Sequence, residues 1–331
     1  MDSTAIVILN YNGVELLKQF LPAIIKHSGN CQVAVIDNHS SDDSVSFLKN
    51  YLQVQLIKLE DNYGFSGGYN KGLEFVKAEN FILLNSDVEV TMGWAEQLID
   101  FMQSQDEIAI CQPKILSYLD QQRFDYAGAA GGYLDLLGYP YCRGRIFDTL
   151  EKDQGQYDDN REIFWAGGAC FFIRAKVFNQ LGGFDQDFFA HMEEIDLCWR
   201  AKRSGYKIAY VGSSTVHHLG GGTLSGRDPF KTYLNFRNGL QLLFKNSSLA
   251  ALVWKLPLRI CLDLIASLRF LFQGNWAHCR SVIKAELMFL WEIPKIWTKR
   301  RQFKAPFGTK LSKIILVLEY FIKRKRKFQD L

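Results

Sequence analysis

Three short apolar runs punctuate the first part of the chain, AIVILN at 5–10, VAVID at 33–37 and FILLN at 81–85, and each gives way to polar residues. Runs of five or six residues rich in Val, Ile and Leu and closed by turn-forming side chains predict buried β-strands. Between them, VELLKQFLPAIIK (14–26) and SVSFLKNYL (44–52) repeat apolar residues at helical spacing. Ser40 and Asp43 offer a capping box for the second helix. Strands and helices that alternate over short connections predict a mostly parallel α/β sheet. Asn10, Asp37 and the segment Asn85–Asp87 close three of its strands and would gather along one edge, where ligands of such sheets bind.

From about 108 to 235 the pattern loosens into glycine-rich turns (AGAAGGY, WAGGA, LGGF), a CFFIR strand, an acid-rich helix, the strand KIAYVG and the stretch VHHLGGGT. These elements are too few for a separate core, so they read as the other half of one domain, 1–240. The remainder, 241–331, is helical and dense in Leu, Phe and Trp. In LVWKLPLRICLDLIASLRFLF (252–272), Lys255, Arg259 and Asp263 recur every four residues, which puts one polar stripe on an otherwise apolar helix. No apolar span reaches the ~20 residues that cross a bilayer. These helices are expected to lie on a membrane surface or to pack on the body of the protein.

Composition sharpens this picture. Of 331 residues, 48% are hydrophobic, enough for a substantial core. Seven scattered cysteines without a CxxC pair suggest neither a disulfide framework nor a zinc knuckle, and fit a reducing cytoplasm. The start, MDSTAIVILNYNG, lacks a basic region before its apolar run and reads as a strand, not a signal peptide. The net charge of +4 is uneven: residues 295–331 carry twelve Lys or Arg against Glu319 and Asp330, a net of +10, which leaves −6 on residues 1–294. Charge alone would suit nucleic acid or an anionic membrane. The apolar segment beside KRKRK in IILVLEYFIKRKRK favours anionic headgroups and a peripheral membrane protein with no nucleic-acid partner.

Four stretches carry candidate chemistry. In LLNSDVEV (83–90) a strand delivers Asn85 and Asp87 to the same side with Ser86 between them, an arrangement that suits a hard divalent cation or a plain capped turn. DNYGFSGGYNKG (61–72) is a glycine-rich turn entering a helix, able to approach a pyrophosphate, although neither a Walker sequence nor GxGxxG is present. His217 and His218 adjoin on an extended segment, so at most one faces a site. In FAHMEEIDLCWR (189–200), Asp196 has a helical ion-pair partner in Arg200, whereas Glu193 and Glu194 have Leu197 and Cys198 one turn on. One of the two glutamates is therefore free to act as a general base, and the first helical turn favours its ionised form.

Taken in order, VILNYNG, VIDNHSSDDS, NYGFSGGYNKG, LLNSDVEV, WAGGACFFIR, GGFDQDFFAHMEEIDLCWR and VHHLGGGT resemble the signatures of family 2 glycosyltransferases, near the bacterial rhamnosyltransferase-like group. The resemblance covers roughly residues 4–240 and implies a GT-A fold. It also implies inverting transfer of a sugar from a nucleotide-sugar to an acceptor hydroxyl. It implies that Asp37 contacts the nucleobase beside Asn10 and Tyr11, and that Gly67, Gly68 and Asn70 line the nucleotide pocket. Asn85, Ser86 and Asp87 stand at the DxD motif, so Asp87 would hold Mg²⁺ or Mn²⁺, and His218 matches the later metal or diphosphate histidine. Glu194 falls at the base position with Glu193 as rival, and Trp165 with Gly167 would flank the sugar. Two departures stand out: Asn85 replaces an aspartate, and Glu194 is one methylene longer than the usual residue. Tail and family together imply a lipid-linked saccharide acceptor on the cytoplasmic membrane face. A non-catalytic nucleotide-sugar or saccharide binding protein is the alternative.

Overall fold

The computed structural model describes residues 3–126, 128–220 and 228–331. The three strands predicted early in the chain form as β1 (Thr4–Asn10), β2 (Gln32–Asp37) and β4 (Asn80–Asn85); β3 (Val54–Lys58) was not predicted, and these strands are interleaved with helices α1 (Val14–Lys26), α2 (Ser44–Leu48, shorter than the expected 44–52) and α3 (Gly64–Gly72). The strand β5 (Val88–Val90), helix α4 (Trp94–Gln103) and strand β6 (Ile108–Ser117) follow. Four short strands, β7 (Gly132–Leu134), β8 (Pro140–Cys142), β9 (Arg145–Ile146) and β10 (Thr149–Leu150), form a separate antiparallel sheet. The chain returns through β11 (Arg161–Ile163), β12 (Cys170–Arg174), α5 (Ala175–Gln180), α6 (Glu193–Arg203) and β13 (Lys207–His218). It ends with α7 (Pro229–Asn246), α8 (Leu249–Phe272) and α9 (Trp276–Gln302).

The main sheet runs β11-β13-β6-β12-β4-β1-β2-β3, with β5 beside β13. Pairs β4–β1, β1–β2, β2–β3 and β6–β13 are parallel; β12 runs antiparallel to both its neighbours, so the sheet is mixed. Its central strands are apolar on both faces because both are covered. Ala5 and Val7 point into one core layer, Ile6 and Ile8 into the other, and β2, β4 and β12 alternate likewise. Register aligns Asn10 with Asp37 and Leu9 with Asn85, which brings the polar strand ends to one edge.

Three local expectations change. The Ser40–Asp43 capping box does not form; Asp42 instead accepts from the amides of Ser44 and Val14 (both 3.0 Å) and ties the start of α2 to that of α1. The region 108–235 holds more order than its sequence pattern suggests, since the small sheet carries its own cluster of Tyr141, Ile146, Leu316 and Tyr320. The last two come from the terminal IILVLEY segment, whose apolar side chains pack against this sheet, while the KRKRK side chains beyond are largely exposed. Helix α7 runs through position 240 without a break, and α7, α8 and α9 pack on one another. Among the described residues, no helix is long and apolar enough to cross a membrane.

Helix α8 is inverted relative to an ordinary surface helix. Its buried positions are Leu252, Lys255, Arg259, Asp263 and Ser267, at the spacing read from the sequence, and they face the protein. Arg259 pairs with Asp263, lies 3.4 Å over the Tyr139 ring and donates to the Leu137 carbonyl; Tyr139 donates to Asp263 at 2.6 Å. The outward face carries Val253, Trp254, Leu258, Leu264, Ile265, Leu268 and Phe272, with Val253 77% and Phe272 86% exposed.

Candidate active site

The polar edge of the main sheet is built by strand register. Antiparallel pairing of β5 with β13 sets Val88 opposite His218 and Glu89 opposite His217, and the Leu219 amide donates to the Asp87 carbonyl. Asp87 and His218 are thereby made neighbours, with His218 Nε2 3.2 Å from Asp87 Oδ1. β6 ends beside them, and the hairpin that follows turns Asp125 back so that its Oδ2 lies 3.1 Å from His218 Nδ1. Burial opposes a charge on this imidazole, but hydrogen bonds to Asp125 and Asp87 outweigh it and hold its pKa up at about 10. His217 points the other way, to Glu89 at 3.5 Å, as adjacent residues on a strand must. The rest of the triple-glycine run, 221–222, lies outside the described residues.

Asn10 and Asp37, both buried, form the next part of the edge. Asn10 donates to Asp37 Oδ1 (3.3 Å) and to Ser40 (3.2 Å), while Asp37 Oδ2 accepts from the Ser40 amide (3.0 Å). The Asn10 carbonyl oxygen of the side chain is buried without a partner. Tyr11 is half exposed beside it, and Asn85 and Ser86 are partly buried at the end of β4. The sequence did not single out Asn38, which fastens the start of α3 to this edge through Asn62 (2.9 Å), the Gly64 carbonyl (3.1 Å) and the Tyr63 amide (3.0 Å).

Five expected site residues have other surroundings than anticipated. Gly67 and Gly68 lie within α3, not in a loop, and serve close packing: a Cβ on Gly68 would fall 2.7 Å from Leu9. Asn70 accepts from the Phe184 amide and donates to its carbonyl (2.9 and 2.8 Å), so it ties α3 to the segment before α6. Trp165 is not a sugar platform: it is 3% exposed, covers Gly132 and donates to the Tyr133 carbonyl. Gly167 is buried, and its amide donates to Gln112 (2.7 Å).

The acids of α6 divide sharply. Asp196 is fully buried and receives Arg200 (2.7 Å), Lys245 (2.8 Å) and Asn246 (2.9 Å); burial alone would raise its pKa, but Lys245 and Arg200 bring it below the usual value. Among the described residues, no cation pairs with Glu193 or Glu194, and one carboxylate oxygen of each is buried without a hydrogen-bond partner. Burial, reinforced by the Glu194 charge, pushes Glu193 well above the usual carboxylate range, and burial lifts Glu194 to about 7. His191 brings no charge, since burial and Lys231 lower it to about 4. The backbone just ahead of these acids is strained: Phe189, His191 and Met192 have left-handed φ of 64°, 68° and 77°. This turn lies against the start of α3, where a Cβ on Gly64 would be 3.9 Å from the Phe189 carbonyl.

Comparison with known proteins places this arrangement. The model for Glycosyl transferase family 2 matches residues 5–182, which stops short of α6. The low-salt glycan biosynthesis hexosyltransferase Agl10 of Haloferax volcanii is 26% identical over 246 residues, 72% of this chain and 74% of that protein. The N-acetylglucosaminyl-diphospho-decaprenol L-rhamnosyltransferase of Mycobacterium tuberculosis is also 26% identical over 246 residues, 69% and 79% of the two chains. Among solved structures, GalNAc-T7 with UDP, GalNAc and Mn²⁺ superposes with a TM-score of 0.59 at 18% identity, over 73% of this chain and 48% of that one. The mannosyltransferase PcManGT of Pyrobaculum calidifontis, in complex with GDP-Man and Mn²⁺, gives 0.52 at 11% identity over 98% and 88%. The mixed sheet flanked by helices has its structural neighbours among GT-A glycosyltransferases. With a family model that spans more than half of its length, this chain belongs to glycosyl transferase family 2 and is a nucleotide-sugar-dependent glycosyltransferase.

Proposed function

We propose that the protein is an inverting, metal-dependent glycosyltransferase that extends a lipid-linked saccharide at the inner face of a cell membrane, with Glu194 as its general base. The observation that carries the base assignment is the contrast within α6: Asp196 is held by three donors, whereas buried Glu193 and half-buried Glu194 meet no cation among the described residues. Two adjacent carboxyls in one buried place do not both ionise readily. Glu193 keeps its proton, and Glu194, near 7, exchanges its own at working pH, where a general base is most effective. Glu194 takes the proton of the acceptor hydroxyl as that oxygen attacks the anomeric carbon from the side opposite the leaving nucleoside diphosphate. One displacement inverts the configuration at that carbon. Asp37 and Asn10, with Tyr11 beside them, hold the nucleobase end; Asn10 has a buried acceptor left over for it.

For the cation, the donor set is the test. Asp87 and His218 face each other, and with Asp125 orienting the ring from the far imidazole nitrogen, Nε2 would join Asp87 in holding a cation that displaces the Nε2 proton. Among the described residues, no group of three or more His, Cys, Asp or Glu side chains is arranged to hold a metal alone. That suits Mg²⁺ or Mn²⁺, which keeps water and substrate phosphates in its shell. When bound, the cation supplies positive charge against the diphosphate leaving group.

The membrane reading is supported by α8. A helix that turns its ions inward and its Trp, Leu, Ile and Phe outward is oriented for an apolar medium. The exposed cluster 323–327 lies at its end, where Arg269 meets Phe321 at 4.8 Å. This complements anionic headgroups. The relative from M. tuberculosis, whose name specifies a decaprenyl-linked acceptor, is consistent with a lipid-linked acceptor here.

The test compares Glu194→Gln with Glu193→Gln. Glu194→Gln is expected to abolish transfer while nucleoside diphosphate affinity stays within threefold. Loss of transfer in Glu193→Gln alone, with Glu194→Gln active, overturns the assignment.

A further inference from the structure

The segment that delivers the acid pair is gripped by helices that follow the catalytic sheet. Three side-chain-bearing residues in left-handed backbone persist only where their surroundings over-determine them, and here the surroundings belong mainly to α7. Asn238 is fully buried, and its Nδ2 lies 2.9 Å from the Phe188 carbonyl, 2.9 Å from that of Ala190 and 2.8 Å from that of His191. Two hydrogens are thus shared among three acceptors of one turn. Arg237 donates to Asn238 Oδ1 from Nε (3.0 Å) and Nη2 (2.8 Å), which fixes the end of the amide that faces the turn. The same Nη2 reaches the Asp187 and Phe188 carbonyls (2.8 and 3.3 Å).

Helix α9 adds an outer layer. Lys295 and Lys299 bind the Asp187 carboxylate (2.8 and 2.6 Å), and Lys299 with Lys245 binds Asp185. Ala190 packs against the cluster of Tyr233, Leu234 and Ala285 from α7 and α9. The strained turn therefore has its carbonyls, its flanking acids and one of its side chains in the hands of the C-terminal helices.

We propose that Asn238 is the positioning residue of the acid pair: its amide, oriented by Arg237, holds the left-handed turn that sets Glu193 and Glu194 in the site. The C-terminal helices are then part of the catalytic apparatus as well as the membrane-facing surface. This proposal rests on the reading of Glu194 as the base.

The test uses the full chain with Asn238→Asp, which keeps the volume and removes both N–H donors, and Arg237→Lys, which keeps the charge and loses the fork. The readouts are hydrogen exchange of amides 186–196, affinity for UDP, GDP and dTDP, and the pH dependence of transfer. Exchange in 186–196 should rise at least tenfold in both variants while β1, β2 and β4 stay protected. Turnover should fall at least thirtyfold in Asn238→Asp, with affinity for the bound nucleotide within threefold. In Arg237→Lys, the acidic limb of the rate profile should move down from near pH 7 as water reaches Glu194. A variant that merely folds less well loses rate without moving that limb. If Asn238→Asp fails to fold, Arg237→Lys carries the same three readouts. Unchanged exchange in 186–196, or lost rate with an unmoved limb, overturns the proposal. Activity retained in Glu194→Gln overturns the base assignment instead, so the two failures are distinguishable.

Discussion

At the scale of single residues, the fate of three neighbouring acids is decided by which of them meets a cation. Asp196 meets two and becomes structural; Glu193 and Glu194 meet none among the described residues and hold raised proton affinities. This has a consequence for stability. A carboxyl whose folded pKa lies above its unfolded value stabilises the fold while protonated, and that contribution fades as pH rises from the unfolded value through the folded one. For Glu194 the window runs from about 4.5 to about 7. Glu194→Gln should therefore raise stability by about 2 kcal/mol at pH 8 and by little at pH 4.5, a gain of a few degrees in Tm measurable by calorimetry at both values. Asp125→Asn tests the other cluster: loosening the hold on His218 Nδ1 should weaken Mn²⁺ binding in the presence of nucleoside diphosphate about tenfold, as read by titration calorimetry. Of these groups, the Asp196–Arg200 pair was legible because it repeats at helical spacing. Lys245 and Asp125 were not: they stand 49 residues from Asp196 and 93 from His218, and no local pattern marks them. Trp165 and Asn70 are engaged with backbone, which local spacing did not show, since the residue types that bind sugars and nucleotides also satisfy buried backbone.

Among elements, α3 and α8 show how far a pattern can be read. The glycines of α3 suggested a phosphate loop, yet they let a helix lie close on β1 and β2. A Cβ on Gly72 would fall 2.3–2.7 Å from three atoms of Ile36, too many for one rotamer change to clear. Gly72→Ala should thus destabilise the protein by about 1–3 kcal/mol in urea unfolding, with no effect if the helix can lift away. The polar stripe of α8 was evident from Lys255, Arg259 and Asp263, but its direction was not, because periodicity defines a face without saying what covers it. On the proposed membrane reading, its inward ionic face leaves the outward apolar face as the stronger determinant. Val253→Glu combined with Ile265→Glu, both at exposed positions, should reduce sedimentation with anionic vesicles at least tenfold and leave the fold intact. Charge reversal at 323–327 should give a smaller, salt-sensitive loss. Unchanged sedimentation of the first variant would refute the membrane reading. The strands of the small sheet, two or three residues long, are too short to show any period.

Across the whole molecule, three strands of the parallel half of the sheet and the polar residues that close them follow from the first ninety residues, whereas β3, with its polar Gln55 and Lys58, did not stand out and α2 stops at Leu48. The later half depends on contacts that cross the chain: IILVLEY closes the small sheet, and α7 and α9 hold the turn that introduces α6. Such pairings have no signature in local spacing, which is why the sequence left open whether the C-terminal helices lie on a membrane or pack on the body, and did not show which residues they hold. The family match likewise ends before α6, so the base assignment depends on the geometry of that helix. The most direct test of that assignment is the rate of nucleotide-sugar consumption across pH 5–9 in the presence of Mn²⁺, for the native chain and Glu194→Gln. The native protein should transfer sugar with an acidic limb near pH 7, and the variant should bind nucleoside diphosphate and transfer none. Undiminished turnover by Glu194→Gln with the same pH limb would contradict the account.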